Sequence, residues 1–113
     1  MQAADVSNSL TGIRFNRLLL TGAAGHLGRE LRARLKGICD HLRLSDREAV
    51  AAGDAHEEVV PAELGNKPAV LALCQGVDAI VHLGGISTEK TWESILDANI
   101  VGLVNLYEGA RQH

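Results

Sequence analysis

Three glycines at spacings of three stand between an apolar run and a helical pattern, and this arrangement most limits what the chain can fold into. Residues 18–20 are all leucine, and the glycines follow in the stretch TGAAGHLG at residues 21–28. Leu27, Leu31 and Leu35 then recur every four residues, as on one face of an amphipathic helix. A continuous apolar run is typical of a strand covered on both faces. The order of strand, glycine turn and helix therefore predicts the first unit of a parallel sheet.

Apolar runs and helical patterns continue to alternate along the rest of the chain. Strands are predicted at residues 17–20, 41–45, 57–60 and 78–83, and a helix capped by Asn66, with Pro68 in its first turn, is predicted to end at Gly76. A long helix is predicted from residue 91 or 92, with an apolar side formed by Ile95, Leu96, Ile100, Leu103, Val104 and Tyr107. The fold class is therefore α/β, a three-layer Rossmann-type doubly wound parallel sheet with strand order 3-2-1-4. Residues 1–16 are expected to form a flexible leader and residues 17–113 a single domain.

The glycine stretch also fits a cradle for phosphate groups. The spacing alone is a weak signal that a plain turn could produce, but here it connects a buried strand to a helix. Gly22 would allow a tight turn, Gly25 would let the backbone approach a pyrophosphate, and Gly28 would let the helix lie close to the strand. Asp46 stands 18 residues beyond Gly28, where a strand-end carboxylate can accept hydrogen bonds from ribose hydroxyls. Although Asp46 could also be a solvated turn residue, the two features together predict a dinucleotide site.

Composition excludes several other classes of function. Eleven basic and fourteen acidic residues give a net charge of −3, and there is one Trp, one Tyr and one Phe, so a basic surface with interleaved aromatics for nucleic acid is missing. No apolar run approaches the length needed to span a membrane. Cys39 and Cys74 lack the spacing of a metal or redox motif, so we expect two reduced thiols and no metal site. These features predict a cytoplasmic protein without nucleic-acid or membrane partners.

Several motifs resemble those of the extended short-chain dehydrogenase/reductases, which include sugar-nucleotide epimerases and dehydratases. They are Gly22-x-x-Gly25-x-x-Gly28, the strand-end Asp46, His82-Leu83-Gly84-Gly85 and Asn99-x-x-Gly102-x-x-Asn105. Within this superfamily, LLLTGAAGHLGRELRARL, VDAIVHLGGISTEK and ILDANIVGLVNLYEGAR are similar to NAD-dependent uronate dehydrogenases. The resemblance covers roughly residues 17–113 and implies NAD as cofactor and a hexuronic acid as substrate, oxidised to an aldarolactone. A sugar-nucleotide epimerase or dehydratase, or a catalytically inactive nucleotide-binding fragment, is the alternative.

The resemblance also implies roles for individual residues. It implies cofactor contacts for Gly22, Ala24, Gly25, His26, Leu27, Gly28, Asp46, Arg47, Glu63, Leu64, Leu83, Gly84, Gly85, Ile86 and Asn99. Glu63 and Leu64 would lie near the adenine, and the turn at residues 84–86 would lie beside the nicotinamide ribose. Asn99 would support either the catalytic proton relay or the backbone of the active site, and Ser87 would either touch the substrate or cap the next helix. His26 could contact the phosphate site, but an exposed loop residue is the preferred interpretation, and His82 is expected to be a core histidine with its hydrogen bonds satisfied.

The family's catalytic motif is missing from these 113 residues. The resemblance implies a Ser and a Tyr-x-x-x-Lys helix, in which the tyrosine gives or takes the substrate's hydroxyl proton. Tyr107 is the only tyrosine, and Arg111 stands four residues after it. No complete catalytic set is therefore expected. The resemblance implies that the predicted sheet is truncated and that the chain would supply the cofactor-binding part of an oxidoreductase. The last predicted strand would be an uncovered sheet edge, which favours a homo-oligomer or an exchanged dimer.

Overall fold

The computed structural model describes residues 14–51, 53–85 and 90–113. Its strands are β1 (Phe15–Thr21), β2 (Cys39–Ser45), β3 (Glu57–Val59) and β4 (Ala79–His82). They form one parallel sheet in the order β3-β2-β1-β4. The predicted strand order is therefore confirmed, and the carboxyl ends of β1, β2 and β4 meet at one edge of the sheet.

The described residues form four helices. Helix α1 (His26–Leu35) continues into a 3-10 turn (Lys36–Ile38), and α2 is Lys67–Leu73. The Asn66 side chain accepts a hydrogen bond from the Ala69 N–H at 3.2 Å, and Pro68 lies in the first turn of α2, as predicted. Helix α3 (Trp92–Ile95), a π turn (Leu96–Val101) and α4 (Gly102–Gln112) follow without a break. Across the described residues, no helix combines the length and apolarity needed to cross a bilayer.

The central strand β1 forms the middle of a three-layer core. Leu18 and Leu20 pack with Leu35 of α1 on one face of the sheet. Leu19 points the other way and packs with side chains of α2 and α4. All three leucines of the apolar run are fully buried, because helices cover both faces of the strand.

The first strand begins earlier than the sequence predicts. Phe15 pairs with Cys39 in the register between β1 and β2, and its side chain packs against the core on the α1 side. The strand therefore includes two residues that were expected to belong to the leader. Residues 1–13 of that predicted leader lie outside the described residues.

The apolar side predicted for the last helix does not face the core of this chain. Ile100, Leu103, Val104 and Tyr107 are between 38% and 71% exposed. The buried residues of α4 are Gly102, Asn105, Leu106 and Gly109. A Cβ at Gly109 would lie 2.7 Å from Cys74 Sγ, so the small residue lets α4 approach α2 closely. The helix therefore docks through its small residues, and its larger apolar side chains stay at the surface of this chain.

Candidate functional site

A cleft of about 980 Å³ opens at the carboxyl ends of β1, β2 and β4. This is the position at which doubly wound parallel sheets bind ligands, where the strand order changes direction. Predicted site residues that line it are Gly22, Ala24, Gly25, Asp46, Arg47, Glu63, Leu64, Leu83, Gly84 and Gly85. The structure therefore brings together residues that stand as far as 63 positions apart in the sequence.

The glycine loop at residues 22–28 joins β1 to α1. Gly22 has φ of +71°, and a Cβ there would lie 2.7 Å from the carbonyl carbon of Leu83. A Cβ at Gly28 would lie 2.2 Å from the Gly22 carbonyl oxygen and 2.9 Å from the Ala23 Cα. The predicted tight turn and close helix approach are both present.

The N-terminus of α1 faces the cleft with unpaired backbone donors. Gly25 precedes the helix in an extended conformation, and its carbonyl accepts the first helical hydrogen bond, from the Arg29 N–H at 3.0 Å. No side chain of the described residues caps this helix end. The N–H groups of residues 26–28 have no partner within the helix, and the positive end of the helix dipole adds to them. Such an end favours an anion. The side chains of His26 and Leu27 are exposed and do not line the cleft, so only their backbones are placed for contact.

Asp46 lies just beyond β2, as predicted, and its carboxylate is fixed by two backbone donors. Its Oδ2 accepts the Ala24 N–H at 3.1 Å, and its Oδ1 accepts the Glu48 N–H at 3.0 Å. An ionised carboxylate has about four acceptor positions, so about two remain for a ligand. Asp46 is therefore oriented before any ligand arrives and still has hydrogen-bonding capacity. Its neighbour Arg47 forms an ion pair with Glu48 at 3.5 Å.

The motif Asn99-x-x-Gly102-x-x-Asn105 holds one wall of the cleft. Asn105 is 4% exposed, and its Nδ2 donates to the Leu64 carbonyl at 2.9 Å. A Cβ at Gly102 would lie 2.6 Å from Leu64 Cβ, so the helix and this loop are in close contact. Asn99 does not line the cleft, but its Oδ1 would lie 2.8 Å from a Cβ at Gly85. The three residues therefore position the cleft's walls.

Thr21 connects the glycine loop to the turn after β4. Its Oγ1 accepts the N–H of Leu83 at 3.1 Å and that of Gly84 at 3.0 Å. The same oxygen lies 2.5 Å from His82 Nδ1, and burial lowers the pKa of this histidine. His82 is therefore half-buried with a partner for Nδ1. Sequence reasoning missed Thr21, although a hydroxyl at the end of an apolar strand needs hydrogen-bond partners.

Charged residues that sequence reasoning did not select complete the rim of the cleft. These are Glu48, Lys90 and Asp97. The Asp97 carboxylate lies directly against the Cα of Gly65. Its position two residues before Asn99 was a sequence feature that could have identified it as a residue of the cleft. Ile86 and Ser87, the predicted nicotinamide-side and substrate residues, lie outside the described residues. Within residues 14–51, 53–85 and 90–113, no three His, Cys, Asp or Glu side chains are grouped to hold a metal ion.

Comparison with known proteins agrees with this geometry. The chain is 55% identical over 105 residues to the uronate dehydrogenase of Pseudomonas putida, covering 92% of this chain and 39% of that protein. It is 53% identical over 97 residues to the uronate dehydrogenase of Agrobacterium fabrum, covering 86% and 37% respectively. The crystal structure of a uronate dehydrogenase variant from Agrobacterium tumefaciens, complexed with NAD, matches with a TM-score of 0.84 and 52% identity, over 87% of this chain and 37% of that one. The chain thus spans less than two fifths of the length of these relatives.

A sequence model of the NAD dependent epimerase/dehydratase family matches residues 18–113, which include every described strand and helix except the first three residues of β1. Together with the strand order and the glycine loop, this match shows that the chain belongs to the NAD-dependent epimerase/dehydratase family.

Proposed function

We propose that this chain is the NAD-binding part of a uronate dehydrogenase, an oxidoreductase that converts a hexuronic acid to an aldarolactone and reduces NAD. The observation that carries the proposal is that the glycine loop, the uncapped N-terminus of α1 and Asp46 meet in one cleft. Relatives more than 50% identical are uronate dehydrogenases, and one related structure was solved with NAD. The substrate assignment rests on those relatives, and the cofactor assignment also rests on the geometry.

The residues present fit the adenosine-diphosphate half of NAD. The backbone donors of residues 26–28 suit the pyrophosphate, because this helix end combines free N–H groups with a positive dipole. Asp46 keeps acceptor positions for the adenosine ribose hydroxyls, and Leu64 is held at the cleft by Asn105. The proposed contacts in this half are Gly22, Ala24, Gly25, His26, Leu27, Gly28, Asp46, Arg47, Glu63 and Leu64. Those proposed for the nicotinamide half are Leu83, Gly84, Gly85, Ile86 and Asn99, with Ser87 toward the substrate.

The charges of the cleft favour NAD over NADP. A 2′-phosphate at the ribose site would face the Asp46 carboxylate, which would repel it. Arg47 and Glu48 form an exposed ion pair at 3.5 Å, so their charges offset each other and the preference rests on Asp46. The 2′-hydroxyl of NAD instead offers a proton to a carboxylate that can accept it.

The residues of this chain bind and orient the cofactor, and residues outside this chain transfer the proton. Bound NAD would supply the hydride acceptor. The 113 residues contain no Tyr-x-x-x-Lys, and His82 Nδ1 is already engaged with Thr21. We therefore propose that the group that takes the substrate's hydroxyl proton, and most of the substrate pocket, come from the part of the protein that this sequence does not include.

A chimera tests the proposed activity. This chain would replace the matching segment of the Agrobacterium fabrum enzyme, and NADH formation would be measured with galacturonate and glucuronate. We expect turnover by the chimera, weaker turnover by its Asp46→Asn form, and none by the 113-residue chain alone, because general acid–base assistance alone is worth about 10² to 10⁴ in rate. A folded chimera without turnover, or full turnover by the chain alone, would contradict the proposal.

We also propose that the parent protein is cytoplasmic and that the isolated chain self-associates. Cys39 and Cys74 are buried free thiols, which fits a reducing compartment. Strand β4 is the last strand of the sheet among the described residues, and a groove of about 440 Å³ lies between it and α4. This edge offers unpaired backbone groups to a second copy of the chain, either directly or by exchange of elements.

A further inference from the structure

The oxygen of the Thr21 hydroxyl uses both of its lone pairs to accept hydrogen bonds. A threonine hydroxyl has two acceptor lone pairs and one proton. Two N–H groups donate to Oγ1: that of Gly84 at 3.0 Å, and that of Leu83 at 3.1 Å, which is shared with the Thr21 backbone carbonyl at 3.2 Å. Both lone pairs are therefore occupied, and the hydroxyl proton is left for a third neighbour. Thr21 is 2% exposed, so bulk water is not that neighbour.

His82 Nδ1 lies 2.5 Å from the same oxygen and must receive this proton. A ring nitrogen accepts a hydrogen bond only when it carries no proton of its own. His82 is therefore neutral, with its own hydrogen on Nε2. Burial acts in the same direction, because it lowers the pKa of this histidine and so favours the neutral ring.

We infer that His82 is a positioning residue for the cleft, acting through Thr21. By accepting the hydroxyl proton, it aims both lone pairs of the Thr21 oxygen at the backbone of the turn after β4. That turn also supports the glycine loop, because a Cβ at Gly22 would lie only 2.7 Å from the Leu83 carbonyl carbon. The consequence for NAD rests on the proposed function, in which this turn lies beside the nicotinamide ribose. The hydrogen-bond arrangement itself does not depend on that proposal.

Two substitutions separate this role from simple packing. His82→Phe keeps an aromatic ring but removes the acceptor of the Thr21 hydroxyl proton. The hydroxyl is then free to rotate, and its proton can turn towards the positions that the two backbone N–H groups occupy. His82→Asn keeps an acceptor oxygen close to the position of Nδ1. His41→Phe on β2 serves as the control, because His41 is exposed and lies away from the cleft.

Amide hydrogen exchange of Gly84 tests the arrangement directly, because the Leu83 N–H keeps the Thr21 backbone carbonyl as a second acceptor. We expect exchange to be roughly threefold to tenfold faster in His82→Phe, which is the range for one neutral hydrogen bond, and close to the unsubstituted rate in His82→Asn and His41→Phe. In a Thr21→Val background, His82→Phe should add no further acceleration, because the shared hydroxyl is gone. Nitrogen NMR of His82 should show an unprotonated Nδ1 at neutral pH.

Titration with NAD and with AMP tests the consequence for the cleft. In His82→Phe, NAD affinity should fall roughly threefold to tenfold, as for the exchange rate. AMP affinity should not change, because AMP reaches only the Asp46 side of the cleft. A protonated Nδ1, or equal behaviour of His82→Phe and His82→Asn, would overturn the inference. If the unsubstituted chain bound neither NAD nor AMP, the proposed function would fail, and the exchange rates would still decide the role of His82.

Discussion

Replacing Gly28 by alanine places one methyl group between α1 and the glycine loop. The new Cβ would lie 2.2 Å from the Gly22 carbonyl oxygen and 2.9 Å from the Ala23 Cα. Both are backbone atoms, so no side chain can rotate away to relieve the contact. The loop and the helix must separate by roughly 1 Å or more to reach an ordinary contact of about 3.5 Å.

The size of the effect follows from two opposing terms. Overpacking at a tight contact costs about 3 kcal/mol at the upper end of its usual range, and here the colliding atoms are backbone. Alanine is favoured over glycine in a helix by about 1 kcal/mol, which offsets part of that cost. We therefore expect Gly28→Ala to lower the free energy of unfolding by about 2 kcal/mol.

The binding of NAD should also weaken. A shift of this size moves the backbone donors of residues 26–28 away from the phosphates, and a hydrogen bond to a charged group contributes about 1.5–3 kcal/mol. The dissociation constant for NAD should rise roughly tenfold to a hundredfold.

Two other glycines serve as matched controls in urea unfolding and calorimetric NAD titration. Gly25→Ala places its methyl at the cleft with only the Gly22 oxygen nearby, at 3.3 Å, so NAD affinity should fall while stability changes by less than about 1 kcal/mol. Gly37→Ala meets nothing within 4 Å and should leave NAD affinity unchanged. If Gly28→Ala retained both the stability and the affinity of the unsubstituted chain, the reasoning from the close contact would be refuted.

Three further predictions concern charge and assembly. Asp46→Asn should weaken NAD binding and narrow the preference over NADP in fluorescence titrations, and an unchanged ratio of the two dissociation constants would count against the ribose contact. The hydrogen bond from Arg32 lowers the pKa of Glu57 from 4.5 to about 2, so the unfolded chain binds the extra proton first, and this pair's contribution to stability is lost as pH falls from 4.5 towards 2. Glu57→Gln should make urea stability fall less steeply over that range, and equal slopes would contradict the role of the pair. Light scattering should show the chain self-associating as concentration rises, whereas a monomer at every concentration would exclude association through the β4 edge.

The fold followed from the sequence where local pattern decides structure. Leu18 to Leu20 form a continuous apolar run because helices cover both faces of β1, and such runs predict buried strands. The burial of α4 did not follow, because periodicity shows that a helix has an apolar side but not which surface covers it. Here Gly102 and Gly109 make the close contacts, and the larger apolar residues face outward. The start of β1 was also missed, because the polar Asn16 separates Phe15 from the apolar run, although Phe15 still pairs with Cys39 of β2.

The candidate site was likewise predictable from the sequence only in part. The glycine loop and the position of Asp46 depend on a short segment with a known spacing, so both were predicted. The contacts between Thr21 and His82, and between Asn105 and Leu64, join residues 61 and 41 positions apart. Nothing in the spacing of those residues specifies which hydroxyl or amide pairs with which partner, because the pairing depends on how the strands and helices pack.

An NMR titration of the isotopically labelled chain with NAD tests the cofactor site most directly. We expect saturable shifts in the backbone amides of residues 24–28 and of Glu48, because these groups surround the α1 N-terminus and the Asp46 carboxylate. Asp46→Asn should weaken the same set of shifts without moving them elsewhere. An absence of saturable shifts, or shifts confined to the groove between β4 and α4, would contradict the claim that the glycine loop and Asp46 form the cofactor site.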